Sequence, residues 1–179
     1  YRCFIIDWNE TNTTHITGFN ANPGNNQMVH HVAAFLVRPD GLMGESIFET
    51  MTEWDQADAG LGYSCYGGPS ATGSSSQIPI EQIAQWVPGN QGLDFPEGTG
   101  IQITPGSKII LQMHYYIPPN LENTSDQTSL DFSLAETVAY PAAYAPFLQP
   151  SWPIAGLEIP AGEERITHST QSDPRGFFN

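Results

Sequence analysis

Basic side chains are scarce in this sequence of 179 residues, where 5 Lys and Arg face 19 Asp and Glu for a formal net charge of −14 at pH 7. Such a surface repels phosphate backbones and anionic lipid headgroups, which sets nucleic acid aside as a partner. A cationic substrate or a metal ion would be tolerated, but negative charge more often serves solubility alone. Long apolar runs are missing as well. The longest uninterrupted one, Val32 to Val37, falls far short of the ~20 residues that a membrane span requires, so no segment is expected to cross a bilayer.

Cysteine is nearly absent. Cys3 lies in a strand-like start and Cys65 in the loop Gly62-Tyr63-Ser64-Cys65-Tyr66-Gly67-Gly68, and with no third thiol they cannot build a zinc knuckle. Two such cysteines either pair or stay free and buried. The lysine-poor composition favours an exported, oxidised protein, extracellular or periplasmic, and hence a disulfide. Closing that loop would contribute roughly 3 to 5 kcal/mol in the chain-entropy account.

Amphipathic helical periods are also few, whereas turn formers abound, with 17 Gly and 15 Pro. Short strands joined by elaborate turns are therefore expected, an all-β antiparallel sandwich. The length suits one large β domain, or a domain and the start of another. With no initiator methionine, the chain begins directly in Tyr1-Arg2-Cys3-Phe4-Ile5-Ile6 and reads as a processed piece of something longer.

In chain order, Asn9-Glu10-Thr11, Asn12-Thr13-Thr14 and Asn123-Thr124-Ser125 are glycosylation triplets that imply exposed loops at most. His15 sits in a polar run and is expected to be solvated. Pro23 to Asn26 is a turn cluster, and Pro39-Asp40-Gly41 closes the strand that follows it. The acidic stretch Leu42 to Ala59 reads as a solvated excursion with Trp54 packed beneath, its carboxylates too dispersed for a calcium loop. Ala71 to Ser76 is a loop of small residues. Pro79 to Trp86 reads as one or two helical turns, since Ile80, Ile83 and Ala84 share a face. Later turns at Pro88, Pro96 and Pro105 space out short strands, and Ser129 to Leu134 alternates with Leu130, Phe132 and Leu134 on the buried side. Tyr140 to Pro153 reads as an extended connection. Ile154 to Thr170 is expected to form another strand pair or the opening of a second domain, with His168 at its surface.

Against this background the histidines stand out. His30 and His31 interrupt the apolar run Gln27 to Val37, and His114 interrupts Lys108 to Tyr116, so three of five histidines lie in hydrophobic strands far apart in sequence. A buried imidazole requires a hydrogen-bond partner or a metal to offset desolvation. Zinc chemistry would require a nearby carboxylate base, which neither strand carries. Copper tops the affinity series for nitrogen donors and tolerates low coordination, so an all-imidazole site suits it best. Met28 and Met113 are each close to a histidine and would offer a soft sulfur, although core filling is the commoner use of methionine. Geometry raises an objection, because neighbouring side chains on a regular strand point to opposite faces. Either the pair sits at a bulge or strand end, or the two rings bind through different nitrogens, or only one of them is a ligand.

The order Tyr1-Arg2-Cys3, Met28-Val29-His30-His31, Cys65, Phe95-Pro96-Glu97-Gly98-Thr99-Gly100 and Leu111-Gln112-Met113-His114-Tyr115 resembles the N-terminal domain of the copper type II, ascorbate-dependent monooxygenases. Peptidylglycine alpha-hydroxylating monooxygenase and dopamine beta-monooxygenase belong to that family. The match runs from Tyr1 to about Tyr116, and more faintly through Ile154-Ala155-Gly156 and Ile159 to Glu163.

The resemblance implies a jelly-roll β-sandwich, a Cys3–Cys65 disulfide, and one copper held by His30, His31 and His114 that stores and delivers an electron. It further implies that Gln112 and Tyr1 stand beside that copper, where hydrogen bonding orients a ligand and tunes the potential. Residues 1–140 would then be the copper domain, and residues 141–179 a connection and the start, or remnant, of a second domain. Members carry a second, oxygen-activating copper on a His-x-His pair and a methionine. Past Glu163 this sequence offers only Thr167-His168-Ser169. The expected function is thus the electron-storing half of a copper-dependent monooxygenase, an enzyme as part of that assembly, with ascorbate or another one-electron donor and a second copper domain as partners. A free-standing exported copper carrier is the alternative. A sandwich that recognises peptide or sugar, with structural histidines, is the third reading.

Overall fold

A computed structural model describes residues 1–41, 44–74, 78, 81–121, 124–144 and 157–171. The chain divides into two compact units, Tyr1–Tyr144 and Ala145–Asn179. The first is a β-sandwich built from β1 (Arg2–Asp7), β2 (Thr14–Asn22), β3 (Val29–Val37), α1 (Gly44–Ala57), β4 (Tyr63–Ser64), β5 (Gln82–Trp86), β6 (Leu93–Asp94), β7 (Thr99–Ile103), β8 (Lys108–Tyr115), β9 (Ser129–Ala135) and β10 (Tyr140–Pro141). One sheet runs β4-β1-β8-β3-β5 and the other β10-β7-β2-β6, with β9 also pairing β2. The all-β sandwich expected from turn spacing is what forms. Among the described residues every strand pair is antiparallel except β10 with β7, which is parallel.

The first sheet is covered on both faces, which explains why β3 and β8 read as apolar runs rather than as alternating strands. Val32, Ala34 and Leu36 of β3 and Ile109, Leu111 and Met113 of β8 pack against Ile16, Phe19, Ile101 and Ile103 of the other sheet. The opposite face, formed by Cys3, Ala33, Phe35, Val37 and Ile110, packs with Ile47 and Met51 of α1. Each side chain buried in such a core is worth about 1.5 to 3 kcal/mol.

Helix α1 corrects the reading of Leu42 to Ala59 as a solvated excursion. Ile47 and Met51 are 1% and 0% exposed, and with Trp54 they stand at the i, i+4, i+7 spacing of one helix face. Trp54 does pack beneath, its ring 5.6 Å from that of Tyr63. The acidic residues between them hid the apolar stripe. A second correction concerns Pro79 to Trp86. Residues 79–80 lie outside the described residues, but Gln82–Trp86 is strand β5, paired with Val32 to Phe35, and not a helical turn.

Two smaller differences follow from pairing. His15 is half-buried rather than fully solvated: it lies within β2, between β7 and β9, with its Nδ1 buried and lacking a partner among the described residues. Leu134 remains 43% exposed although it alternates with Leu130 and Phe132, because a register shift on β2 between Ile16 and Gly18 falls beside it. In the second unit, Leu157 to Gln171 contains no strand, contrary to the expected strand pair. It makes a turn in which Glu163 N donates to Pro160 O at 3.5 Å, and His168 Nε2 lies 3.1 Å from Glu158 O. Asn123, Ile154-Ala155-Gly156 and most of Tyr140 to Pro153 lie outside the described residues. No helix among the described residues is long and apolar enough to cross a membrane.

Candidate metal centre

Strands β3 and β8 are neighbours, and their register brings the histidines together. His31 pairs with His114, while the next pair outward is Val29 with Tyr115, so His30 is an extra residue in β3. That bulge answers the objection raised by strand alternation. Val29 and Val32, three apart, are both buried in the inter-sheet core, and the two histidines between them are left to the other face. Of the three possibilities, the bulge is the one the backbone shows.

The result is a triad in which one ring nitrogen from each of His30, His31 and His114 lies within 4.8 Å of the others. His31 Nδ1 and His114 Nδ1 are 3.3 Å apart. Nitrogens bound at about 2 Å to one ion stand roughly 3 to 4 Å from each other, so small rotations of the rings would close this donor set on a single metal without rearrangement of the strands. His30 is exposed, whereas His31 and His114 are half-buried. Desolvation is the main cause that lowers the pKa of His31, opposed by its hydrogen bond to Gln112 and reinforced by the nearby His30. Burial likewise lowers that of His114, with His31 and His30 adding to it. Both rings are thereby held neutral near pH 7, the state in which imidazole binds a metal.

Gln112 is 4% exposed and sits on the same face of β8 as His114. Its Nε2 donates to Gly68 O at 2.7 Å. This fixes the amide so that Oε1 faces His31 Nε2 at 3.3 Å. An amide oxygen can only accept, so Nε2 of His31 carries the proton and Nδ1 keeps its lone pair free towards His114.

Gly68 lies three residues beyond Cys65, which a disulfide joins to Cys3 with Cα atoms 5.9 Å apart. Arg2 clasps the segment that leads into Cys65, donating to Leu61 O at 2.7 Å, to Gly62 O at 2.6 Å and to Asp58 at 2.9 Å. Gly62 has φ +69°, and a Cβ there would stand 2.3 Å from Cys3 O, so no other residue fits.

Tyr1 stacks on His114, with ring centroids 4.0 Å apart and planes at 10°. Tyr66, which sequence reasoning did not single out, meets Tyr1 edge-on at 5.1 Å. Its place beside Cys65 was the available signal. Gly68 was also missed, because a backbone carbonyl leaves no mark in a sequence. Met113 and Met28 occupy the inter-sheet core at 1% and 6% exposure. Met113 is on the face of β8 opposite to Gln112 and His114, and Met28 Sδ accepts from Thr124 Oγ1 at 3.8 Å.

The arrangement of a bulged histidine pair, a Gln-x-His strand and a disulfide loop agrees with comparison against known families. The family model for the copper type II ascorbate-dependent monooxygenase N-terminal domain matches residues 1–122. A search of curated proteins finds no match. The matched span holds His30, His31, His114, Gln112, Cys3 and Cys65, and the chain therefore belongs to the copper type II ascorbate-dependent monooxygenase family through its N-terminal domain.

Proposed function

We propose that this chain is the electron-storing copper domain of such a monooxygenase, binding one copper ion through His30, His31 and His114. The convergence of three ring nitrogens within 4.8 Å carries this reading. Copper held there would supply a one-electron store, filled by ascorbate or another one-electron donor. The chain's own residues set its surroundings. Gln112 fixes the tautomer of His31, Tyr1 covers one face of the His114 ring, and exposed His30 leaves a side open to a reductant.

The compactness of Tyr1–Tyr144 supports a copper domain that ends near residue 140, followed by a connection or the start of a second domain. A disulfide in a strongly acidic chain supports an exported location. Hydroxylation itself would take a second, oxygen-activating copper domain as partner.

The test is anaerobic titration with copper and then ascorbate. One ion and one electron are expected per chain, both lost in His31→Ala. Unchanged copper binding by that variant contradicts the reading. Tight binding of copper that ascorbate does not reduce would favour a carrier.

A further inference from the structure

The bulge at His30 requires a register held on both sides. On the inner side, Val32, Ala34 and Leu36 are locked in the core and hold His31 opposite His114. On the outer side, Val29 pairs with Tyr115, and the nearest turn is built around Asn25, whose carbonyl accepts from Met28 N at 3.2 Å and from Val29 N at 3.1 Å. One side chain grips both outer elements. Asp126 accepts from Asn25 N at 2.8 Å through Oδ1 and from the Tyr115 hydroxyl at 3.1 Å through Oδ2. The Thr128 hydroxyl donates to the same Oδ2 at 2.7 Å and steadies the carboxylate.

Asp126 comes from a loop about a hundred residues beyond Asn25 and reinforces the direct tie just outside the ladder, Tyr116 N donating to Met28 O at 2.8 Å. The burial of Val29, at 2% exposure, favours the same register. A ladder that slid by one residue outside His31 would take Val29 out of the core and turn His30 into it, so the burial of Val29 and the grip of Asp126 hold the same register together. Without the bulge, His30 would pair with Tyr115 in ordinary alternation, and its ring would turn to the face opposite His31 and His114.

We propose that Asp126 is a positioning residue that maintains the bulge at His30 and so keeps His30 on the same face as His31 and His114. As far as it concerns copper, this rests on the reading of the triad as a metal centre. The register itself does not.

The first arm is therefore metal-free. In the apo protein, cross-strand proton contacts by NMR should join Val29 to Tyr115 and His31 to His114. In Asp126→Ala the first contact should give way to His30 with Tyr115, while the second remains. Asp126→Asn keeps an acceptor for Asn25 N and should restore the wild-type contact. Tyr115→Phe, which removes only one of the two ties, should show both registers and covers the case in which Asp126→Ala does not fold. Retention of the Val29–Tyr115 contact alone in Asp126→Ala, or in Tyr115→Phe should the alanine variant fail to fold, overturns the proposal.

The second arm uses copper. Asp126→Ala should lose about ten- to hundredfold in affinity and bind through two imidazoles, as His30→Ala does, and the double variant should be no weaker than His30→Ala. Additive losses would overturn the link from Asp126 to His30. If wild-type chain binds no copper, the metal reading fails, and the NMR arm still decides the role of Asp126.

Discussion

The ring of Tyr1 lies flat on the ring of His114, with centroids 4.0 Å apart. Stacking of this kind contributes about 0.5 to 1.5 kcal/mol beyond burial, and it restricts how far the imidazole can rotate. Tyr1→Ala is therefore expected to weaken copper binding by roughly two- to thirteenfold, which is that energy expressed as an equilibrium constant. Tyr1→Phe keeps the stacked ring and should bind within about twofold of wild type. Calorimetric titration of both variants checks this, and equal losses in the two would assign the effect to the hydroxyl.

Gln112 offers a sharper test, because it joins His31 to Gly68 O. Gln112→Leu leaves that carbonyl without a donor and frees the His31 tautomer. The expected cost is about 1 to 3 kcal/mol in unfolding free energy and about ten- to hundredfold in copper affinity. Urea unfolding and copper titration measure the two separately. A stability loss with unchanged affinity would limit Gln112 to packing.

The disulfide constrains a loop with a sequence separation of 62. Replacing both cysteines by serine should lower stability by roughly 3 to 5 kcal/mol. It should also weaken copper binding, because Gly68, which orients Gln112, lies in the loop that Cys65 anchors. Denaturation midpoints with and without reductant give the first effect, and copper titration of the reduced chain gives the second.

Acid should act at two places. His31 and His114 have folded-state pKa values below the unfolded value of 6.5. The unfolded chain then binds protons first, so the apo protein is fully stable above about pH 6.5 and loses stability as pH falls through the lower folded values. Copper affinity should fall over the same range, as protons compete for the nitrogens. Asp58 is held down to about 2, chiefly by Arg2, against 3.8 unfolded. Its contribution is present above about pH 4 and disappears towards pH 2. Urea unfolding from pH 8 to 3 should show the first decline in wild type and a weaker one in a His31→Ala, His114→Ala variant. Identical slopes would contradict this assignment.

How much was legible in the sequence differs from residue to residue. His30, His31 and His114 were visible because imidazole is conspicuous in an apolar run, and the sandwich was visible because glycine and proline mark turns. The bulge was legible only as one of three possibilities, since it depends on Val29 and Val32 both choosing the same core, which the sequence does not decide. Helix α1 was obscured because Ile47, Met51 and Trp54 are separated by carboxylates, and β5 because its pairing with β3 overrides a weak local preference. Gly68 acts through its backbone, which no residue pattern encodes.

Anomalous diffraction at the copper edge, on crystals of the wild-type chain soaked with copper, tests the central claim most directly. The account predicts one peak per chain at bonding distance, about 2 Å, from a ring nitrogen of each of His30, His31 and His114. No peak at that triad in fully soaked crystals, with the three rings turned apart, would contradict it.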